Sequence, residues 1–212
     1  MKWWEKTIEY SFVRMHLPMS SVIYPLDGWH EQAGDALLRS AKKWIMIEFK
    51  VDENAIKTEE KKFYDFQSAL NILAPHDSHH FIVYGSSIII RPRKKVDDKQ
   101  HNSGFNPIMK KRSLVLCATT YFSRRNCDMK EIFSSGVRLE VFKSYVNEFL
   151  YHKNNGPGGG GMPTLTLNDY ALVAGIDDEG AVVACMSLID FGKEIGLRIR
   201  ANSHGLQIPS RS

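Results

Sequence analysis

The stretch GDALLRSAKKWIMIEFK, Gly34–Lys50, decides the predicted fold of this chain. Its two ends are mostly apolar and the second is rich in aromatic and β-branched residues, which is typical of buried strands. We therefore predict one strand over 33–39 and a second over 43–51, joined by a short polar turn at 40–42. An antiparallel pair of this kind would form the middle of a sheet.

Three charged side chains stand out within the predicted pair: Asp35, Glu48 and Lys50. Antiparallel pairing would place Asp35, early on the first strand, beside the late end of the second strand. Side chains alternate along a strand, so Glu48 and Lys50 should share one face while Ile47 and Phe49 occupy the other. The pattern thus predicts two carboxylates and an amine close together.

These residue types suit a site for a divalent metal. Carboxylate oxygens and water are the ligands that Mg²⁺ prefers, and a bound metal can polarise a phosphate and activate a water molecule. Lys50 would neutralise the negative charge that develops in such a reaction. An isolated Glu-x-Lys is usually an exposed ion pair. Here the strand is too apolar for that, and a buried carboxylate must be paired, protonated or metal-bound.

Helices and further strands are predicted around this pair. The helices are expected over 3–17, 57–74 and 137–152, and the strands over 79–84, 86–91 and 113–119. Trp4, Ile8, Phe12 and Met15 form an apolar stripe on the first helix. The second should begin near Thr58. This order of elements predicts an α/β domain with a mixed central sheet flanked by helices.

The last quarter of the chain is expected to extend the core. Residues 1–153 would form the core, 154–163 a glycine-rich connection, and 164–212 an extension packed on the core. Within that extension, apolar runs on both sides of Asp177-Asp178-Glu179-Gly180 predict a β-hairpin over 169–189. A lone hairpin is marginal in water, so this one should pack on the main sheet or serve as a partner-binding surface.

The residues Asp35, Ile47-Glu48-Phe49-Lys50, a preceding glutamate-bearing helix and a following amphipathic helix resemble the PD-(D/E)xK superfamily of restriction-endonuclease-like nucleases. The resemblance covers roughly residues 3–120, although Ala33-Gly34 stands where the proline of the family name would be. It implies a restriction-endonuclease-like core in which Asp35 and Glu48 bind Mg²⁺ or Mn²⁺ and Lys50 assists hydrolysis.

The same resemblance implies supporting residues. Many members bring an acidic residue from the first helix to the metal, and Glu9 is the first choice for this role and Glu5 the second. Some members use a glutamine from the helix after the motif, for which Gln67 is the candidate and a plain surface glutamine the alternative. His80, near the same edge of the sheet, is a further auxiliary candidate.

The implied activity is metal-dependent hydrolysis of phosphodiester bonds, with DNA the expected substrate, in a phage-defence, restriction or repair system. A protein partner would supply targeting, and a homodimer is compatible with the sequence. The alternative is a non-catalytic nucleic-acid-binding or assembly module with the same fold. A metal-dependent hydrolase or sensor unrelated to nucleic acid is a third, less favoured option.

The composition is compatible with an intracellular protein, and it permits a polyanionic partner without requiring one. The net charge of the 212 residues is +4, and a basic segment at 91–112 includes Arg93, Lys94 and Lys95, which we assign to nucleic-acid contacts, a solvated loop being the alternative. Three scattered cysteines suit a reducing cytoplasm. The N-terminus does not resemble a signal peptide, and no apolar run is long enough to span a membrane, so no membrane partner is expected.

Overall fold

The computed structural model describes residues 4–17, 22–23, 41–90, 111–154, 164–166 and 171–200. The helices are α1 (Glu5–His16), α2 (Phe66–Leu73), α3 (Met129–Ser134), α4 (Leu139–Asn154) and α5 (Leu188–Glu194), with 3₁₀ segments at Glu53–Lys62 and Ala74–His76. The strands are β1 (Val22–Ile23), β2 (Lys43–Lys50), β3 (His80–Ile90), β4 (Lys111–Thr120), β5 (Asn126–Cys127), β6 (Thr164–Thr166), β7 (Leu172–Ile176), β8 (Val182–Ser187) and β9 (Arg198–Arg200).

Seven strands form one mixed sheet in the order β1-β8-β7-β2-β3-β4-β5. Strand β2 lies at its centre, parallel to β3 and antiparallel to β7. The 3₁₀ segments and α2 make the long connection that parallel neighbours require. Strands β6 and β9 form a separate parallel pair. The predicted α/β fold with a mixed sheet flanked by helices is confirmed.

We predicted that 33–39 forms a strand antiparallel to β2. One edge of β2 begins at Lys43. That edge is held by β7, in register from Lys43 opposite Ile176 to Ile47 opposite Leu172. Residues 33–39 themselves lie outside the described part of the chain. Strand β7 is an apolar run that pairs with β8 on its other side. It therefore lies inside the sheet, where both of its faces can be buried.

The hairpin predicted over 169–189 is confirmed as β7 and β8, which pair antiparallel. Its turn is closed by the carboxylate of Asp177, which accepts hydrogen bonds from the backbone N–H groups of Glu179 and Ala181 at 3.0 and 2.8 Å. Gly180 adopts a φ of 83°, which glycine accommodates without strain. Because β7 lies next to β2, the hairpin belongs to the main sheet. The three-part division of the chain stays a prediction.

Residues 57–74, predicted as one helix, form two elements with a break between them. Asp52 caps the 3₁₀ segment and Asp65 caps α2, each accepting at 3.0 Å from the backbone N–H three residues on. The side chain of Asp65 takes a backbone N–H donor that would otherwise continue the preceding helix. A new helix therefore begins after Asp65, within the range that we predicted as one continuous helix. Thr58, the predicted start, lies within the 3₁₀ segment and donates to a backbone carbonyl at 2.6 Å.

Helix α1 covers one face of the sheet. Ile8 and Phe12 are fully buried and belong to one apolar cluster with Ile45, Ile47 and Phe49 of β2. The predicted stripe on this helix is therefore confirmed only in its middle. Its two ends, Trp4 and Met15, are 79% and 57% exposed.

A glycine permits this close packing. A Cβ atom at Gly85 would lie 2.6 Å from Cδ1 of Ile8 and 2.9 Å from the carbonyl oxygen of Val51. We predicted two strands divided at Gly85, but β3 runs unbroken from His80 to Ile90. The glycine thus provides room for α1 and does not end the strand.

Helices α2 and α4 cover the opposite face. Helix α4 confirms the helix predicted over 137–152, and its residues Phe142, Tyr145, Val146 and Phe149 are buried as predicted. They join Trp44 and Met46 of β2 in a second cluster. Glu48 and Lys50 continue this same face of β2 toward the end of the strand.

Candidate active site

Glu48 and Lys50 lie at the carboxyl end of the central strand and are both buried, with 3% and 7% exposure. Each is paired in register with β3, opposite Ile82 and Tyr84 respectively. Two buried ionisable groups two residues apart on one strand face are costly unless other charges compensate them. The 3₁₀ segment that follows β2 provides those charges.

Glu59 is the centre of the arrangement. Its side chain is fully buried, and its Oε1 lies 2.6 Å from Nζ of Lys50 and 2.7 Å from Nζ of Lys62. Lys62 also reaches Oε2 of Glu48 at 3.3 Å. In a 3₁₀ helix residues three apart lie in line along one side, which explains why Glu59 and Lys62 both point at the end of β2. We call Glu48, Lys50, Glu59 and Lys62 the charge cluster.

Ring side chains pack against one side of the charge cluster. Tyr121, just after β4, donates a hydrogen bond from its hydroxyl to Oε2 of Glu59 at 2.8 Å. The ring of His80 stacks on Tyr121 with centroids 4.1 Å apart, and its Nδ1 lies 2.9 Å from the hydroxyl of Tyr145. Burial, followed by the charges of His79 and Lys153, holds the pKa of His80 well below its usual value, so this ring is neutral near pH 7.

The two carboxyl groups of the charge cluster have opposite pKa shifts. Burial raises the pKa of Glu48 to about 7, and the nearby charge of Glu59 adds to this while Lys153 and Lys62 oppose it. For Glu59 burial acts upward, but its hydrogen bond with Glu48 and the charges of Lys62 and Lys50 together hold its pKa below the usual range. Near neutral pH, Glu59 is therefore ionised and Glu48 is poised between its two forms.

Two further cations lie near the charge cluster. Lys153 on α4 acts on Glu48 through its charge, and Arg124 lies over the Tyr121 ring at 5.7 Å. Carboxylates accompany these cations, because Glu5 lies 3.5 Å from Lys50 and the charge of Glu60 acts on Arg124. The site is therefore rich in charges of both signs.

The predicted site residues meet only in part. Glu48 and Lys50 come together as expected, whereas Asp35, Arg93, Lys94 and Lys95 lie outside the described residues. Glu5 of α1 reaches Lys50 at 3.5 Å.

Glu9, the first choice for an acidic residue from the first helix, pairs with Lys6 at 2.8 Å. Burial and then the charge of Glu9 raise the pKa of Cys185 on β8 to about 12, which shows that Glu9 acts on β8. Gln67 is exposed and donates to Asn71 at 3.0 Å. From the first helix, Glu5 thus contacts the charge cluster through Lys50.

Sequence reasoning missed Glu59, Lys62 and Tyr121, whereas Arg124 and Arg125 were weighed as phosphate contacts against a solvated charge run. We treated Glu59 as part of an ordinary first helical turn, where charged residues are common. A usable signal was present in Asp52 and Asp65, two cap residues that bracket a short element containing both Glu59 and Lys62. No local pattern pointed to Tyr121, since it is brought in by the pairing of β4 with β3.

The charge cluster can be compared with what Mg²⁺ requires. Its acceptors are carboxylate oxygens, which suit a hard cation, and an ammonium group already stands 3.3 Å from Glu48. Within the described ranges, however, no group of three or more His, Cys, Asp and Glu side chains could hold a metal. Mg²⁺ is commonly bound by one or two carboxylates, water and substrate phosphate, so Glu48 fits as a partial ligand that needs Asp35 or water to complete the site.

Comparison of the chain with protein-family models, with curated proteins and with solved structures finds no match. In the part of the chain that the structure describes, no helix combines the length and the apolar character needed to cross a membrane.

Proposed function

We propose that this protein is a Mg²⁺-dependent nuclease with a restriction-endonuclease-like core that hydrolyses phosphodiester bonds, with DNA as the expected substrate. The observation that carries the proposal is the placement of Glu48 and Lys50. They are buried on one face at the carboxyl end of the central strand, beside a parallel strand reached through a helical connection. This end of a strand is where open α/β sheets commonly bind their ligands.

In this proposal Glu48 and Asp35 hold the metal, which lowers the pKa of a bound water and neutralises phosphate charge. Lys50 lies beside Glu48 and is oriented by Glu59 at 2.6 Å. Its ammonium would stabilise the negative charge that builds on the phosphate oxygens. Glu59 is itself fixed by the Tyr121 hydroxyl at 2.8 Å, so the lysine is held by a rigid partner.

The proposal extends to partners and compartment. DNA is the nucleic-acid partner, a second protein provides targeting, and a homodimer is one arrangement for cutting both strands. Cys117, Cys127 and Cys185 are all free thiols, which supports a reducing cytoplasm.

The test is cleavage of supercoiled and linear DNA by purified protein with Mg²⁺ or Mn²⁺. Wild type should cleave, and Glu48→Gln and Asp35→Asn should each lose roughly 10²-fold or more in rate. Glu53→Gln, a change at an exposed position of the 3₁₀ segment, is the matched control and should cleave like wild type. Equal cleavage by wild type and the Glu48 and Asp35 variants would refute the proposal.

A second candidate is a non-catalytic nucleic-acid-binding or assembly module. It is favoured by one observation: Glu59 is already satisfied by two lysines and a tyrosine, which is what a purely structural charge network requires. Salt-dependent DNA binding that is unaffected by EDTA, with no cleavage in either metal, would support this second function over the first.

A further inference from the structure

The turn after β4 places one arginine in an unusual backbone conformation. Arg124 has a φ of 53°, and it is the one residue other than glycine with a positive φ among those described. Side chains larger than hydrogen rarely adopt this region, and such residues tend to occur where function requires them. The conformation of Arg124 therefore calls for an explanation.

The surrounding turn is held firmly enough to impose that conformation. Asp77 accepts hydrogen bonds at 2.7 Å from the backbone N–H groups of both Phe122 and Ser123. On the other side, the N–H of Arg125 donates to Oγ1 of Thr120 at 3.0 Å, and the N–H of Thr120 donates to the carbonyl of Arg125 at 2.9 Å. Arg124 is thus fixed between two anchored segments.

The guanidinium of Arg124 lacks acceptors. Both terminal nitrogens are shielded from solvent and have no hydrogen-bond partner, and the group lies over the ring of Tyr121 at 5.7 Å. Burial lowers the pKa of Arg124, and the charges of Tyr121, Glu60 and Glu59 oppose that shift. Its neighbour Arg125 differs, because that guanidinium forms a surface ion pair with Glu131.

Arg124 borders the charge cluster. The ring beneath its guanidinium belongs to Tyr121, whose hydroxyl bonds Glu59, which in turn pairs with Lys50. The flanking residues Ser123 and Arg125 are exposed, so the turn is open to solvent. The unpartnered donors of Arg124 thus lie between this exposed turn and the ring of Tyr121, whose hydroxyl contacts the charge cluster.

We propose that Arg124 is a phosphate-binding residue of this site, whose planar fork of donors takes a backbone phosphate of the bound nucleic acid. Arginine matches phosphate in a bidentate geometry that lysine cannot reproduce. A bound oxyanion would supply the missing acceptors, and the strained backbone is what is expected of a residue held in place for such a role. The assignment rests on the proposed function, and deepens it by naming a substrate contact.

The experiment measures binding of a fluorescent DNA duplex by anisotropy in EDTA, over a range of salt concentrations. Arg124→Lys and Arg124→Gly should weaken binding roughly tenfold to a hundredfold, and Arg124→Gly should lower the log–log salt slope by about 1. Arg125→Lys is the matched control at the adjacent position and should bind within about twofold of wild type.

A thermal unfolding measurement separates a binding role from a structural one. Glycine accepts a φ of 53° without strain, so Arg124→Gly should unfold at the same temperature as wild type or higher while binding DNA more weakly. Wild-type affinity in Arg124→Gly, or a loss of affinity that accompanies a lower unfolding temperature, would overturn the assignment.

Inorganic phosphate distinguishes the two sources of the ligand chemistry. If the wild type binds phosphate through Arg124 but does not bind DNA, Arg124 is a binding residue for a small phosphate ligand and the nuclease proposal is refuted. If the wild type binds DNA and Arg124 makes no difference, the nuclease proposal stands and this inference falls. If the wild type binds neither, both fail.

Discussion

Alternate residues of β2 face two different interiors. On one side Ile45, Ile47 and Phe49 pack under α1 in a wholly apolar cluster. On the other side the strand begins with Trp44 and Met46 and ends with buried ionisable groups, which two further charges from the 3₁₀ segment compensate. Both faces exclude water, but only one of them carries groups that are expensive to bury.

The difference indicates what each face is for. An apolar cluster stabilises the fold by burial alone and tolerates many similar substitutions. A buried ion-pair cluster is weak evidence for stability, since well-packed apolar side chains of similar volume often stabilise as much or more. Charges retained at such a cost are therefore better explained by chemistry or specificity, and this view can be tested face by face.

The largest effect is expected from Glu59→Ala, which removes the shared partner of the buried Lys50 and the partly exposed Lys62. We expect it to lower the free energy of unfolding by about 3–5 kcal/mol, the usual result of removing one member of a buried ion pair. Urea unfolding followed by circular dichroism would measure the loss.

The matched control for that experiment replaces the whole charge cluster by apolar residues of similar volume. This quadruple variant should recover the stability lost in Glu59→Ala, because no unpaired charge remains. If it is instead less stable than Glu59→Ala, the charges of this face hold the fold together and the contrast between the faces fails.

The next effect concerns activity. Lys50→Met keeps the length of the side chain and removes its charge, and under the proposed function it should lower the rate of DNA cleavage by about 10²–10³-fold. Phe49→Leu, the adjacent residue on the apolar face, should leave the rate nearly unchanged. Cleavage assays on both purified variants check this. A Phe49→Leu enzyme as impaired as Lys50→Met would mean that the two faces are not functionally distinct.

A smaller effect is expected in the pH dependence of stability. Glu48 has a folded-state pKa of about 7 against an ordinary value of 4.5, so between these values the folded state binds more protons than the unfolded state. Its contribution to stability is therefore greatest below pH 4.5 and is lost as the pH rises through 7. At about 1.4 kcal/mol per pKa unit, the full change is on the order of 3 kcal/mol.

Glu48→Gln isolates this contribution, since it removes one titrating group and leaves the histidines in place. The free energy of unfolding of the variant minus that of wild type should increase from pH 4.5 to 7 and then level off. Glu59 does not interfere in this range, because its lowered pKa confines its contribution to lower pH, where its stabilising charge is lost. A flat difference across this range would show that Glu48 is ionised throughout.

Much of the framework was predictable from local pattern. Alternation along β2 placed Glu48 and Lys50 on one face, and apolar runs around Asp177–Gly180 predicted the β7–β8 hairpin. The neighbour of β2 was not predictable from local sequence, because strand pairing between distant segments depends on which apolar run buries more surface. Thus β7, which is far from β2 in the sequence, is its antiparallel neighbour.

The charge cluster was predictable only by half. Glu48 and Lys50 stand out because they interrupt an apolar strand. Glu59 and Lys62 stand in a polar segment, where a Glu and a Lys three residues apart are a common surface pair of any helix and do not mark a site. In the 3₁₀ segment the two side chains lie on one line that faces the end of β2. Such geometry follows from the caps at Asp52 and Asp65 and from tertiary contacts, neither of which a count of hydrophobic spacing detects.

The smallest effect is expected from Glu5. Through this residue α1, which packs on the apolar face of β2, also contacts a residue of the charged face. Its carboxylate is half exposed and lies 3.5 Å from Nζ of Lys50, which already has a closer partner in Glu59 at 2.6 Å. Glu5→Gln should therefore change the free energy of unfolding by about 0–1 kcal/mol and the cleavage rate by no more than about fivefold. Glu9→Gln is the parallel change at the other first-helix carboxylate, which pairs with Lys6 and acts through its charge on Cys185 of β8. Parallel cleavage assays of the two variants decide which first-helix carboxylate, if either, belongs to the site. A loss of 10²-fold in Glu9→Gln would restore it as the acidic residue implied by the nuclease resemblance, and would show that α1 serves the charged face as well as the apolar one.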